Sequence, residues 1–144
     1  MIKKGFASLS VLVATLICVP GFGHHGTGIS YDTSKAITTK AVVTDFTFLN
    51  PHVRIYFDTT DEKGAVTKWS GETANPAQFQ RAGWGRKRME DRLKPGTKIN
   101  VTFQVSKAQE RLPAGVGAAL VVRMSNMQGE PIGLDRGGRG GGGQ

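Results

Sequence analysis

The sequence predicts a mostly β protein, built as a small five-stranded barrel. Two observations lead to this fold class. Stretches rich in β-branched and aromatic residues alternate between apolar and polar positions, as strands with one buried face do. These stretches and one helix-forming segment follow one another as three strands, a short helix and two strands. That is the element order of an OB-like barrel.

The clearest pattern lies on either side of Asn50-Pro51-His52. From residue 52 to residue 58 polar and apolar side chains alternate, with Val53, Ile55 and Phe57 on the apolar face. Proline lacks the N–H group that a strand ladder needs, and it favours an extended residue before it. We therefore expect a tight corner or hairpin at this point. His52 then begins the second strand, with its ring on the less buried face.

The remaining elements follow from the same patterns. The first stretch alternates imperfectly, which predicts a β-bulge where the strand changes its buried face. Asn75 and Pro76 are typical of a helix start, and the helix should end near Gly83. A second polar stretch, residues 86–92, leads into a Pro-Gly turn. The predicted strands are Ile37–Leu49, His52–Thr60, Ala65–Thr73, Ile99–Ser106 and Ala118–Met127.

Residues 1–23 resemble a secretory signal peptide. Lys3 and Lys4 precede a short apolar run, and small residues stand at Gly21 and Gly23. The run is shorter than the roughly 20 residues that a membrane span needs, although an uncleaved N-terminal anchor is the alternative. Cleavage after Gly23 would export the protein to the periplasm with no stable membrane span. The expected organisation of the exported chain is an extended arm (24–35), a β-barrel domain (36–128) and a disordered Gly/Arg-rich tail (129–144).

Cleavage at that point leaves 121 of the 144 residues, a size typical of one domain. It removes Cys18, the single cysteine, so the exported domain holds no disulfide. The formal charge falls from +8 to +6 when Lys3 and Lys4 leave. A basic balance of this size agrees with an anionic polymer as partner but does not require one.

Several short motifs occur in a fixed order along the chain: His24-His25, Asn50-Pro51-His52, Trp69 with Glu72, Gly83-Trp84 and Leu93-Lys94-Pro95-Gly96. In these motifs the chain resembles a family of small exported bacterial proteins, the domain of unknown function family 6152. The resemblance covers roughly residues 24–127. It departs at Gly26, where the family usually has serine, and at Thr97, where it usually has aspartate. The resemblance implies an exported β-rich domain and implies no activity.

The three histidines of the chain, His24, His25 and His52, are the candidate metal ligands. Cleavage after Gly23 would give His24 a free amine beside its imidazole, a chelating pair of nitrogens that suits copper. Cleavage one residue earlier would place His25 third from the terminus, where it suits square-planar Cu(II). The alternative interpretation is structural: His24 and His25 are exposed, and His52 caps the corner by hydrogen bonding.

A second candidate site is an aromatic and charged face of the barrel. OB-folds bind single-stranded nucleic acids and sugars on such a face, and Arg81 and the arginines of residues 86–92 could add phosphate contacts. The plainer interpretation is an aromatic core with a solvated basic helix, and export separates the protein from nucleic acid. The residues of this predicted ligand face are Arg54, Tyr56, Trp69, Glu72 and Trp84.

The sequence does not predict an enzyme. Glu72 and Asp45 are the strand carboxylates that might pair, and the chain carries no motif that combines a nucleophile with a base. A histidine-brace copper oxidase would need a further ligand shell that the sequence does not contain. We therefore expect a periplasmic binding or accessory domain, with copper or a protein partner as its ligand. The alternative is a basic module that binds an anionic polymer or a protein partner through the barrel face.

Overall fold

Five strands close into a barrel in the order β1-β2-β3-β5-β4, with β4 returning to β1. The computed structural model describes residues 30–137. All neighbouring strands are antiparallel except β3 and β5, which are parallel. The predicted OB-like barrel is confirmed. The elements are β1 (Ile37–Thr47), β2 (Arg54–Thr60), β3 (Val66–Glu72), α1 (Pro76–Arg81), α2 (Arg86–Arg92), β4 (Lys98–Val105), a 3₁₀ turn (Gln109–Arg111) and β5 (Val116–Ser125).

The first strand contains the predicted bulge. Its pairing with β2 shifts register between Val43 and Asp45, and the buried side chains change parity across this point. Before the bulge Ala41 and Val43 are buried, whereas Phe48, beyond it, is the next fully buried residue. The extra residue therefore lets a long strand follow the closing curve of the barrel.

Two short helices connect β3 to β4, where the sequence predicted one helix and a polar stretch. The side chain of Asn75 accepts a hydrogen bond from the Gln78 amide at 2.9 Å, as a helix cap does. The second helix, α2, is stabilised on its exposed side by ion pairs one turn apart, such as Lys87 with Asp91 at 3.6 Å. On its other side Met89 is buried. One apolar residue among six polar ones gives too weak a pattern to predict this helix.

The core of the barrel depends on close approach between β3 and β5. Trp69 packs against Phe103, with ring centroids 4.6 Å apart, and stacks on Phe57 at 6.3 Å. A Cβ atom at Gly117, the register partner of Trp69, would lie 2.3 Å from the indole ring. A Cβ at Gly71 would lie 2.6 Å from Val121. The two glycines therefore make room for the aromatic core at the parallel pair.

The chain beyond β5 packs against the barrel. We call residues 129–137 the C-terminal strap. Ile132 is only 2% exposed, and its amide donates to the Met124 carbonyl at 2.9 Å. Leu134 packs against the same core. The prediction of disorder from residue 129 is therefore wrong for residues 129–137, because two apolar side chains anchor a segment whose average composition is polar. Residues 138–144 lie outside the described part.

Substitutions at two neighbouring residues of β4, one buried and one exposed, test which face of the strand is in the core. Phe103 is 1% exposed within the aromatic core, so Phe103→Ala should lower the free energy of unfolding by about 3–5 kcal/mol. Thr102 points outward, where its hydroxyl meets that of Thr38 at 2.9 Å in an exposed pair. Thr102→Ala should therefore cost less than about 1 kcal/mol. Denaturant unfolding of both variants checks this, and equal losses would contradict the assignment of faces.

Candidate functional site

The hairpin that carries His52 is fixed to the barrel from one side by backbone contacts. Val53, next to His52, is fully buried and donates its amide to the Ala74 carbonyl at 2.9 Å. The carbonyl of Val53 accepts from the Thr73 amide at 2.9 Å and from the Thr73 hydroxyl at 3.1 Å. The end of the β1–β2 hairpin is therefore held against the end of β3. Strand β2 begins at Arg54, two residues later than predicted.

An arginine of α2 holds the other side of the same hairpin. The Arg86 guanidinium donates to the Phe48 carbonyl and lies over the Phe48 ring, with its central carbon 5.5 Å from the ring centroid. Arg86 also pairs with Glu90 at 3.6 Å. The sequence suggested that Arg86 could contact phosphate. In the structure its guanidinium instead binds the Phe48 carbonyl and stabilises the hairpin.

The site is centred on a contact between His52 and Glu72. The Nδ1 atom of His52 lies 2.9 Å from Oε1 of Glu72, and the two side chains are 33% and 22% exposed. An ionised carboxylate only accepts hydrogen bonds, so Nδ1 carries the proton. A neutral His52 therefore keeps its free lone pair on Nε2, the nitrogen that this contact does not use.

The same carboxylate receives two further groups. The Tyr31 hydroxyl donates to Oε2 of Glu72 at 3.3 Å, and the Arg54 guanidinium lies 4.0 Å from that oxygen. Burial raises the pKa of Tyr31, and the charge and hydrogen bond of Glu72 raise it further, while Arg54 lowers it. Tyr31 therefore stays protonated as a donor at neutral pH. Glu72 thus joins the hairpin, β2 and the residues that precede β1.

Tyr31 is the member of this cluster that the sequence did not reveal. It pairs with Ser106 in an isolated β-bridge, and the amide of Asp32 donates to the Val105 carbonyl at 2.9 Å. The predicted arm therefore lies beside the end of β4 from residue 30 onward. One sequence feature could have indicated its role: Tyr31 is the one aromatic residue in a stretch of glycine and hydroxyl residues. Its partner, 41 residues away, has no local sequence pattern.

The structure brings four of the five predicted ligand-face residues onto β2 and β3 and places Trp84 elsewhere. Arg54, Tyr56 and Glu72 lie together on the outer face of β2 and β3, where Arg54 is the direct cross-strand partner of Glu72. Trp69 packs against the aromatic core, and its indole N–H donates to the Thr59 hydroxyl at 2.9 Å. Trp69 has the parity of the inward-facing Gly71 but is only partly buried, and it lines a cavity together with Tyr56 and Ser70.

Trp84 lies beside α2, away from that outer face. It packs partly against the core, and the Arg88 guanidinium covers its ring at 4.0 Å from the centroid. The ring is therefore occupied by a neighbour within the chain. Nearby, Phe48 is buried and Phe46 packs against the core.

Charges on the outer face of β2 and β3 balance. Two cross-strand pairs of opposite charge flank Tyr56 and its partner Ser70: Arg54 with Glu72, and Asp58 with Lys68. Such pairs stabilise an antiparallel sheet and leave no excess positive charge on the face. This surface therefore lacks the potential that attracts an anionic polymer.

The arrangement at His52 is the one that metal-binding histidines use in proteins. A ligating imidazole commonly donates its other N–H to a carboxylate, which orients the ring and increases its basicity. Residues 30–137 contain no group of three or more His, Cys, Asp or Glu side chains placed to hold a metal ion. The other two predicted ligands, His24 and His25, lie outside the described residues. His52 is therefore one candidate ligand with its supporting carboxylate.

A comparison with protein families matches residues 12–114 to the family of unknown function DUF6152. The matched range includes the hairpin, Glu72, both helices and β4. The chain belongs to this family. The predicted resemblance is confirmed, and the family assigns no activity. A comparison with curated proteins finds no match.

In residues 30–137 no helix has the length and apolar character needed to cross a bilayer. The predicted signal peptide, residues 1–23, lies outside the described part.

The hydrogen bond to Glu72 predicts which nitrogen of His52 carries the proton. In the neutral ring we expect the Nδ1–H form, and Glu72→Ala should shift the proton towards Nε2 because the acceptor is lost. Arg54→Ala is the control, since it removes a neighbour of Glu72 and leaves the acceptor of His52 in place. Ring ¹⁵N chemical shifts, assigned with His52→Ala, measure the tautomer. An Nε2–H ring in the unaltered protein would contradict this geometry.

Proposed function

We propose that the protein is an exported, non-enzymatic copper-binding domain. In this proposal His52 offers its Nε2 atom as one ligand, and the histidines at the processed N-terminus, His24 and His25, supply the others. The proposal extends the metal site predicted from the sequence. It rests on one observation above all, the contact of 2.9 Å between Nδ1 of His52 and the Glu72 carboxylate.

That contact preorganises the His52 ring for metal binding. The carboxylate fixes the ring and keeps the proton on Nδ1, so metal binding at Nε2 would need no change of tautomer. The hairpin is itself held by Arg86 and by the buried Val53. A ligand on such a support loses little conformational freedom when a metal binds.

The position of Tyr31 supports a contribution from the N-terminal histidines. Its hydroxyl reaches the same carboxylate at 3.3 Å, so Tyr31 lies next to the candidate ligand. His25 precedes Tyr31 by six residues. A fully extended chain of that length spans at most about 20 Å. The terminal histidines are therefore within reach of His52.

Copper is the metal that the donor set favours. An α-amine and imidazoles are nitrogen donors of the kind that suits Cu(II), and the exported chain has no cysteine thiolate. A His24 terminus would chelate through its amine and ring, and His52 would complete a site of two imidazoles and one amine. We assign the site to binding rather than catalysis, because its polar groups bond to one another and form no pair of nucleophile and base.

The alternative function, binding of an anionic polymer or a protein partner, receives no specific support from the outer face of β2 and β3. The charges there form opposed cross-strand pairs. Basic residues of α2 are paired as well, Arg86 with Glu90 and Lys87 with Asp91. These pairs leave no excess positive charge on β2, β3 or these positions of α2 for an anionic polymer.

The proposed site requires a free, correctly processed terminus. Copper affinity of the protein that starts at His24 should fall strongly when one Met is added before His24, because the chelate includes the α-amine. If the arm and the hairpin share one metal, His52→Ala should also weaken copper binding by the protein that starts at His24. Titration with Cu(II), followed by visible absorption, measures both effects. Binding should also weaken on acidification, since coordinated imidazoles must be neutral.

Intact-mass analysis of the exported protein is the control that fixes the terminus. A protein that retains residues 1–23 would contradict export with cleavage and remove the amine ligand. Equal copper affinity of the native and Met-extended proteins, or no binding at micromolar concentrations, would refute the metal site. His52 would then have the structural role of joining the hairpin to Glu72.

A further inference from the structure

A second concave site lies where the C-terminal strap passes α1. We propose that this cleft binds a small anion through carboxylate or phosphate groups. The cleft has a volume of about 490 Å³, within the usual range for small-molecule sites. It involves none of the groups of the proposed copper site and does not depend on that proposal. Its lining residues are Ala74, Gln78, Arg81, Ala82, Leu134, Asp135 and Arg136.

Two guanidinium groups give the cleft its positive charge. Arg81 comes from the last turn of α1 and Arg136 from the strap. Within residues 30–137 neither guanidinium has an ion-pair or hydrogen-bond partner in the chain. The acidic residue of the lining, Asp135, is already engaged, since its carboxylate lies 3.8 Å from Arg123 and accepts from the Gly137 amide at 2.8 Å. The cleft therefore retains an excess of positive charge.

Both arginines stand on backbone that is fixed to the core. The amide of Arg136 donates to the Val122 carbonyl at 2.8 Å, which ties the strap to β5. Phe79 anchors α1 and is buried. Between them, Gly133 has a positive φ of 78°, and a Cβ atom there would lie 2.9 Å from the Phe79 ring. The glycine thus allows the strap to lie against α1, and the anchored backbone limits how far the two arginines can separate.

The chemistry of the cleft indicates the class of ligand. A guanidinium presents a planar fork of donors that matches the oxygens of a carboxylate or a phosphate. The Gln78 side-chain amide can donate a further hydrogen bond. The positive charge is confined to one concavity rather than spread along a stripe, which favours a small anion over a polymer.

The experiment titrates the metal-free protein with citrate and, separately, with inorganic phosphate at constant ionic strength. Backbone amide chemical shifts follow binding by residue. We expect saturable shifts at residues 74–82 and 132–137. Arg81→Gln with Arg136→Gln should raise the Kd about tenfold or more, because charge-assisted hydrogen bonds are lost. Saturation by citrate alone, by phosphate alone or by both supports the site and identifies the anionic group that it prefers.

The matched control removes the same charge elsewhere. Lys63→Gln with Arg111→Gln alters two exposed cations outside the cleft and should leave the Kd within about twofold. An equal loss in both double variants would show that binding follows net charge, and would overturn the proposal. Saturation by neither anion would overturn it as well. The substituted arginines are exposed, and unchanged amide spectra far from the cleft would verify that the variants fold.

Discussion

Closure of the barrel through the parallel pair of β3 and β5 is the constraint on which the rest of the structure depends. Gly71 and Gly117 leave the space in which Trp69 packs against Phe57 and Phe103. A bulky residue at either glycine would displace the aromatic core or separate the two strands. Because the barrel is closed, every strand has two partners, and adjacent strands hold their outward side chains in fixed register.

This fixed register explains why a single carboxylate can organise one end of the molecule. Glu72 lies at the end of β3, opposite Arg54, where the hairpin before β2 brings His52 to its side. Tyr31 reaches it from the segment before β1. Three parts of the chain thus meet at one charged group that is only 22% exposed. A partly buried carboxylate that accepts hydrogen bonds from several donors can orient an imidazole.

Local pattern was sufficient to predict the barrel, the hairpin at Asn50-Pro51 and the outward position of His52. Strand alternation is set by neighbouring residues, and the sequence contains it directly. The contacts of Tyr31 and Ile132 were not predictable from the sequence. Tyr31 depends on Glu72, a partner distant along the chain, and the amide of Ile132 depends on the backbone carbonyl of Met124, which has no sequence pattern. The strand alternation of β3 indicates that Trp69 faces the same side as Gly71, towards the core. Its aromatic type nevertheless suggested a residue of the ligand face. Aromatic residues in a small barrel more often fill its core.

In the proposed copper site the hairpin imidazole of His52 and the processed terminus share one metal. Pulsed spin resonance of bound Cu(II) counts coordinated imidazoles, because each contributes a signal from its remote nitrogen. The protein starting at His24 should show one coordinated imidazole more than its His52→Ala variant, at equal copper occupancy. An identical count in the two proteins would contradict the claim and leave His52 outside the metal site.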